Sequence, residues 1–229
     1  MYFSLITPAS GHERDAAHEW TRSAYEAHQW LWRFLPAPAG TARSFLFRRR
    51  DLDGLPRFYV VSDSKPAAPS PHWTVESKPY RPTLVEDDRL AFDLRANPVL
   101  TTRNAAGKPV RHDVVMQEKT RLLAERGLER WADWTGPDRP ALPDLVRQAG
   151  GQWLQARCER LGIKLDEAAL RVEGYEQHRG KGGTLRISTV DFSGRLQVVD
   201  PDALLRALFG GVGHAKAFGC GLLLVRPIG

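Results

Sequence analysis

The sequence RSFLFRRRDLDGLPRFYVVS, residues 43–62, contains two runs of β-forming residues separated by a short acidic turn with a glycine. Runs rich in Phe, Tyr, Val and Leu on either side of Asp-Gly are typical of a β-hairpin. We predict that residues 43–50 form one strand with a basic end. Residues 51–54 then turn the chain, and residues 57–62 form the antiparallel partner.

The segments on either side of this hairpin indicate a ferredoxin-like unit. Residues 2–7 alternate and predict a first strand, and residues 15–35 have the apolar spacing of a helix that ends before Pro36. A weak apolar segment follows at residues 73–75. The order of strand, helix, hairpin and weak element matches the beginning of a βαββαβ unit.

Residues 88–229 repeat this order. The predicted elements are a strand at 89–95, helices at 116–134 (broken by Gly127) and 145–161, a strand at 170–175, a strand with a turn at Gly194 (184–192 and 195–199), a helix from the N-cap Asp200 to Phe209, and a final strand. We therefore predict an α+β protein of two tandem ferredoxin-like (RRM-like) domains, at 1–85 and 88–229. The aromatic signature of RNA-recognition strands is not visible, so the fold alone does not establish RNA binding.

The composition favours a polyanionic partner. The 229 residues hold 33 Lys and Arg against 27 Asp and Glu, a formal net charge of +6. Such a balance favours nucleic acid without requiring it. No apolar run has the length of a membrane span, no signal-peptide pattern opens the chain, and Cys158 and Cys220 do not make a disulfide framework. We expect a cytoplasmic protein without membrane association.

A tyrosine and a histidine on the first predicted helix are candidates for acid–base chemistry. Tyr25 and His28 are three residues apart and therefore neighbours on the helix surface, at the edge of its apolar stripe. Histidine exchanges protons near neutral pH, and an adjacent phenol can hydrogen-bond the same reacting group. The alternative is that both only extend polar tips out of the core. Trp30 and Trp32 beside them could stack on bases or simply pack.

The last part of the sequence, FGGVGHAKAFGCGLLLVR at residues 209–226, combines five glycines with one lysine. Glycine permits positive φ and close backbone approach, so successive N–H groups can line a phosphate site with Lys216 beside it. The residue order differs from a Walker A loop, and the loop leads into a strand, unlike a dinucleotide fingerprint. The alternative is a glycine-rich turn that only reverses the chain.

A second cationic segment lies between two predicted strands at residues 178–186. Its basic residues are His178, Arg179, Lys181 and Arg186. Cations at the end of a hairpin can follow a phosphate backbone and give salt-sensitive affinity. The alternative is a solvated hairpin tip. The arginines at 48–50 have the same two interpretations.

Histidines near the N-terminus do not complete a metal site in the sequence. His12 and His18 flank acidic residues, but the spacing typical of zinc-binding sequences is missing. There is also no G-x-S-x-G motif that would indicate a serine hydrolase. We therefore expect no metal and no cofactor.

Three stretches of the sequence are specific in combination. They are YEAHQWLWRFLP at residues 25–36, FDLRANP at 92–98 and GVGHAKAFGCGLL at 211–223. Together they resemble the CasE family, the CRISPR repeat-RNA endoribonucleases of type I-E systems. The leading MYFSL and the VVDP at 198–201 agree, so the resemblance runs along nearly the whole chain. Residues 113–143 look longer than the family usually carries, and we interpret them as an insertion.

The resemblance implies a fold, an activity and partners. Proteins of this family have two tandem ferredoxin-like domains and cut CRISPR precursor RNA at the base of each repeat hairpin without a metal ion. They then stay on the product hairpin with the other subunits of the Cascade complex. By position, His28 would be the main acid–base residue, with Tyr25 beside it. The residues that would contact RNA are Arg33, Arg179, Lys181, Arg186, Gly211, Gly213, His214, Lys216, Gly219 and Gly221.

The implied chemistry needs only residue types that this sequence offers. The 2′-hydroxyl of RNA can attack the adjacent phosphate in line, leaving a cyclic phosphate and a 5′-hydroxyl. An enzyme must fix that geometry, move two protons and stabilise the developing charge. We therefore expect an endoribonuclease that processes CRISPR precursor RNA. The alternative is an RNA-hairpin-binding structural subunit without turnover.

Overall fold

The computed structural model describes residues 1–20, 29–38, 40–179 and 186–228. The described residues include the helices α1 (Glu13–Glu19), α2 (Val114–Glu125), α3 (Leu142–Gln155), α4 (Cys158–Leu161) and α5 (Pro201–Gly210). The strands are β1 (Tyr2–Pro8), β2 (Phe45–Leu52), β3 (Leu55–Ser62), β4 (Trp73–Pro79), β5 (Arg89–Ala96), β6 (Val99–Arg103), β7 (Pro109–Asp113), β8 (Ile163–Leu165), β9 (Arg171–Arg179), β10 (Arg186–Val198) and β11 (Leu223–Pro227). Short 3₁₀ turns occupy Trp32–Phe34, Trp131–Asp133, Glu167–Ala169 and Lys216–Phe218.

The first sheet is antiparallel and has the strand order β2-β3-β1-β4. This order is that of a ferredoxin-like βαββαβ unit. The predicted hairpin is confirmed, because Leu52 pairs with Leu55 across Asp53 and Gly54. These two turn residues have φ of 53° and 75°. Positive φ at both positions defines a type I′ turn, whose twist matches that of the flanking strands.

An aromatic cluster forms the core of this sheet. The ring of Trp30 lies edge-on to Trp20 and to Trp73, with centroids 4.8 and 4.6 Å apart. Trp30 is buried and therefore packs in the core, which excludes stacking on a base. Trp32 is partly buried, with its ring 5.1 Å from that of Phe45. Aromatic pairs of this kind each stabilise a core by about 0.5–1.5 kcal/mol beyond their buried area.

Residues 63–72, between β3 and β4, form turns where a βαββαβ unit has its second helix. Pro66, Pro69 and Pro71 explain the difference. Proline lacks the N–H that a helix needs and disfavours helical geometry in the residue before it. The segment therefore crosses to β4 without forming a helix.

The second sheet repeats the ferredoxin-like order. Its strands run β11-β5-β10, and both β9 and β8 pair with the remaining edge of β10. β9 takes the part of β10 from Arg186 to Ser193, and β8 takes the part from Leu196 to Val198. The prediction of two tandem ferredoxin-like units is thus confirmed.

The predicted turn at Gly194 is wrong, because β10 continues through this residue. Gly194 pairs with Phe92 of β5, and both of its neighbours are also paired with that strand. A Cβ at Gly194 would lie 2.9 Å from the carbonyl oxygen of Ala169. Position 194 requires glycine because the backbone of the 3₁₀ turn at Glu167–Ala169 passes close to β10. The residues around Gly194 do not reveal this contact.

Residues 99–133 are added to the second unit between β5 and α3. They form the β6–β7 hairpin, α2 and a 3₁₀ turn. The two strands of this hairpin are not among the predicted elements, because they are largely exposed and lack an apolar alternation. Asp113 joins it to α2: its Oδ1 accepts from the backbone N–H of Val115 at 2.8 Å, and its Oδ2 accepts from the Tyr175 hydroxyl at 2.7 Å. The predicted helix at 116–134 ends earlier, at Glu125.

The chain divides into two compact units. The first comprises residues 1–84 and 205–223, and the second comprises residues 85–204 and 224–229. The glycine-rich segment after α5 therefore belongs with the first sheet, although it is remote in sequence. None of the described helices is both long and apolar enough to cross a membrane.

Candidate nucleic-acid interface

The backbone of the glycine-rich loop after α5 is held in an unusual conformation. Gly211, Gly213 and Gly219 have φ of 76–77°, and Gly221 has φ of 92°. Only glycine adopts such angles at little cost. The N–H of Val212 donates to the carbonyl of Gly221 at 2.8 Å, which closes the two ends of the loop. The shape of the loop is therefore set by its own backbone.

The same glycines allow the loop to pack closely. A Cβ on Gly211 would lie 2.9 Å from the side chain of Leu46 on β2. A Cβ on Gly219 would lie 3.1 Å from Phe47 of the same strand. Gly219 and Gly221 are buried, Gly211 and Gly213 are partly exposed, and His214 is exposed. The buried glycines can therefore act on a ligand only through the shape of the loop.

Lys216 has a structural contact of its own. Its ammonium group donates to the carbonyl oxygen of Gly210, at the C-terminal end of α5, over 2.5 Å. A cation at this position is stabilised by the unsatisfied carbonyls of the helix end. An ammonium group has three N–H donors, so this bond is compatible with a further contact to a phosphate.

The second cationic element is the end of the β9–β10 hairpin. Arg179 and Arg186 are directly opposite each other across the two strands. The side chain of Arg186 is exposed. Lys181 lies outside the described residues, and so does the side chain of Arg179. The exposed Arg186 therefore presents a cation at this end of the hairpin.

His178 stands one residue before this end and is already engaged. Its Nε2 lies 3.1 Å from the Thr189 hydroxyl and 3.7 Å from a carboxylate oxygen of Glu176. Both partners come from the same pair of strands. The histidine therefore belongs to the hairpin's own contacts.

The candidate catalytic residues Tyr25 and His28 lie outside the described residues. Arg33, also predicted to contact RNA, lies on the 3₁₀ turn that follows, and its side chain is about half exposed (48%). One of its nitrogens is 3.5 Å from a carboxylate oxygen of Glu19. This distance is long for an ion pair, and an exposed pair of this kind contributes little stability.

The arginines at the end of β2 differ from one another. Arg48 is 4% exposed and does not present its charge at the surface. Arg49 donates two hydrogen bonds to the carboxylate of Asp51, at 2.8 and 2.9 Å, and lies over the ring of Trp20. Arg50 is exposed. The interpretation of all three as phosphate-binding residues is therefore wrong for Arg48.

The β6–β7 hairpin carries cations that were not singled out from the sequence. Arg103, Lys108 and Arg111 are exposed, and residues 99–112 contain no acidic residue. The cations are visible in the sequence, but their placement on one hairpin depends on strands that the sequence does not predict.

Fold and surface together define a protein of tandem ferredoxin-like units that carries a closed glycine-rich loop on one unit and a cationic hairpin on the other. The sequence profile of the family described as CRISPR associated protein matches residues 1–227. The CRISPR-associated endoribonuclease Cse3 of Thermus thermophilus is 31% identical over 97% of each chain. The Cascade subunit CasE of Escherichia coli K12 is 27% identical over 93% of this chain and 96% of its own.

A solved structure shows the same similarity. This structure is of Thermus thermophilus Cse3 bound to an RNA representing a pre-cleavage complex. It superposes on the chain with a TM-score of 0.65 at 26% sequence identity and covers 99% of both chains. The chain therefore belongs to the CasE (Cse3) family of CRISPR-associated proteins. This confirms the resemblance given by the sequence motifs.

Proposed function

We propose that the protein is a metal-independent endoribonuclease that cleaves CRISPR precursor RNA at the base of the repeat hairpin. It then stays on the product as a subunit of a Cascade complex. The supporting observation is that the likeness to Cse3, named as an endoribonuclease and solved with RNA, continues over 97–99% of this chain. Both cationic elements lie within the matched length.

Cleavage proceeds by attack of a 2′-hydroxyl on the adjacent phosphate. The oxygen–phosphorus bond to the next nucleotide breaks, leaving a 2′,3′-cyclic phosphate and a 5′-hydroxyl. His28 takes or supplies a proton, and Tyr25 hydrogen-bonds the same reacting group. Proton transfer by a positioned side chain typically contributes about 10²–10⁴-fold in rate.

The two described elements hold the RNA. Arg179 and Arg186 contact phosphates of the stem and give salt-sensitive affinity. In the glycine-rich loop, Lys216 approaches the RNA backbone near the cleaved bond, and the internal hydrogen bonds of the loop fix its position. Neither element transfers protons, so the proton chemistry is assigned to Tyr25 and His28.

Replacing Lys216 by alanine is expected to weaken RNA binding about tenfold, because a charge-assisted contact is lost. Cleavage at saturating protein should slow by less than about threefold. Filter binding and single-turnover cleavage measure the two effects. Lys65→Ala, an exposed lysine of the same unit, is the control and should change neither. Unchanged binding with slow cleavage would move Lys216 into the catalytic set.

Replacing Arg186 by alanine is expected to weaken binding of every RNA stem to the same degree. The slope of log affinity against log salt concentration should fall by about one, because one phosphate contact is removed. Arg171→Ala is the control, since this exposed arginine lies at the other end of β9. A variant with the wild-type salt slope would place Arg186 away from the phosphates.

The alternative is an RNA-binding subunit without turnover, and it shares every binding feature with the proposal. The name of the Escherichia coli relative, a Cascade subunit, agrees with either function. Incubation with the cognate repeat RNA in EDTA separates the two. The proposal expects one cut with a cyclic phosphate and a 5′-hydroxyl. A 2′-deoxy nucleotide at the cleaved position should abolish cutting and leave binding nearly intact. RNA that stays intact both with and without EDTA would favour the alternative.

A further inference from the structure

A group of metal-ligand side chains comes together at the edge of the first unit. His12, Asp15 and His72 place one potential ligand atom each within 4.8 Å of the others. His12 and Asp15 flank the start of α1, whereas His72 lies 60 residues further along and immediately precedes β4. His18 is near His12 in the sequence, but the fold brings His72 to His12 instead.

Backbone hydrogen bonds hold these residues in position. The N–H of Ala9 donates to the carbonyl of His72 at 2.8 Å, and the N–H of His12 donates to the carbonyl of Ala9 at 2.9 Å. The carbonyl of His12 accepts the first hydrogen bond of α1, from Ala16, at 2.9 Å. The positions of the two histidine backbones are therefore fixed by the sheet and the helix.

The side chains face one another. The two imidazole rings are 5.4 Å apart between centroids and inclined by 34°, and Nδ1 of His12 is 3.5 Å from a carboxylate oxygen of Asp15. Around a tetrahedral zinc ion, ligand atoms about 2.0–2.2 Å from the metal lie about 3.3 Å from each other. The ligand atoms here are separated by up to 4.8 Å. Rotation of the His12 and Asp15 side chains, which are 45% and 56% exposed, would have to bring them together around an ion.

Glu19 supplies the outer contact that metal-binding histidines usually have. Nδ1 of His72 is 2.8 Å from its carboxylate, which also accepts from Ser70 and Trp73. A carboxylate that accepts a hydrogen bond from Nδ1 of His72 holds the ring proton on that nitrogen and leaves Nε2 as an electron-pair donor.

We propose that His12, Asp15 and His72 bind a single divalent transition metal ion, best matched by Zn²⁺, which joins the start of α1 to the start of β4. Two imidazoles and a carboxylate are a donor set that zinc accepts, with water completing the coordination, whereas Mg²⁺ and Ca²⁺ prefer oxygen ligands. The ion is structural and takes no part in the cleavage proposed above.

Zinc titration of the EDTA-stripped full chain, followed by calorimetry, tests the proposal. Wild type should bind one equivalent and show a raised thermal midpoint, and excess Mg²⁺ should not compete. His12→Ala, His72→Ala and the near-isosteric Asp15→Asn should each lower zinc affinity by at least about tenfold. His18→Ala, an exposed histidine of α1, should bind as wild type does.

Absence of stoichiometric binding to wild type would overturn the site, and so would retention of wild-type affinity in His12→Ala or Asp15→Asn. Competition by Mg²⁺ at equal concentration would contradict the assignment of the ion. Zinc affinity and thermal midpoint are measured without RNA. Their outcome therefore tests the metal site independently of the proposed cleavage activity.

Discussion

The His28→Ala variant is expected to cleave the repeat RNA about 10²–10⁴-fold more slowly than wild type at saturating protein. Removal of the imidazole deletes a proton-transfer group but leaves the cationic hairpin and the glycine-rich loop in place. The dissociation constant for the RNA should therefore change by less than about threefold. Single-turnover cleavage in EDTA, with binding measured on a 2′-deoxy substrate, gives both quantities.

His18→Ala is the matched control, because it removes an exposed histidine from α1. It should cut at the wild-type rate. Tyr25→Phe keeps the ring and removes only the hydroxyl, and its pH–rate profile separates the role of the phenol from that of the imidazole. If His28→Ala cut as fast as wild type, the assignment of His28 would be wrong.

Gly162→Ala is expected to lower the free energy of unfolding of the second unit by about 2–5 kcal/mol. Gly162 ends α4 with φ of 65°, a conformation that costs other residues about 1–2 kcal/mol. An added Cβ would overlap the carbonyl oxygen of Asp200 and lie 2.9 Å from Cβ of Ala203. Overpacking of this kind adds about 1–3 kcal/mol. Urea denaturation followed by circular dichroism measures the loss.

Gly127→Ala isolates the backbone contribution. Gly127 has φ of 67°, but nothing lies within 4 Å of the position of its Cβ. Its substitution should cost only about 1–2 kcal/mol. Equal losses in the two variants would show that the contact between Gly162 and the start of α5 does not constrain the fold.

Short sequence patterns correctly predicted those turns and helix ends whose conformation depends only on neighbouring residues. The Asp-Gly turn of the first hairpin was found because a two-residue connection requires positive φ at both positions. Asp200 was identified as a helix N-cap, and its carboxylate does accept the N–H of Ala203 at 3.0 Å. Each of these two features depends only on residues within a few positions of one another. The strand order of both sheets followed from the sequence of these elements.

Contacts between distant segments could not be predicted in this way. Gly194 looked like a turn because its reason, the close approach of Ala169, lies outside its own strand. Lys216 was interpreted only as a phosphate ligand, since nothing local indicates its bond to the end of α5. His12 and His72 form a pair because β4 returns beside β1.

The sequence by itself determined the ferredoxin-like pairing of strands, the basic hairpin and the family. Each of these rests on turn residues, apolar periodicity or short motifs, which involve residues close together in the chain. The tertiary structure alone decided that residues 205–223 belong to the first unit and that the glycine-rich loop packs on β2. It also decided which histidines meet. These outcomes depend on packing between segments far apart in the chain, which no local pattern encodes.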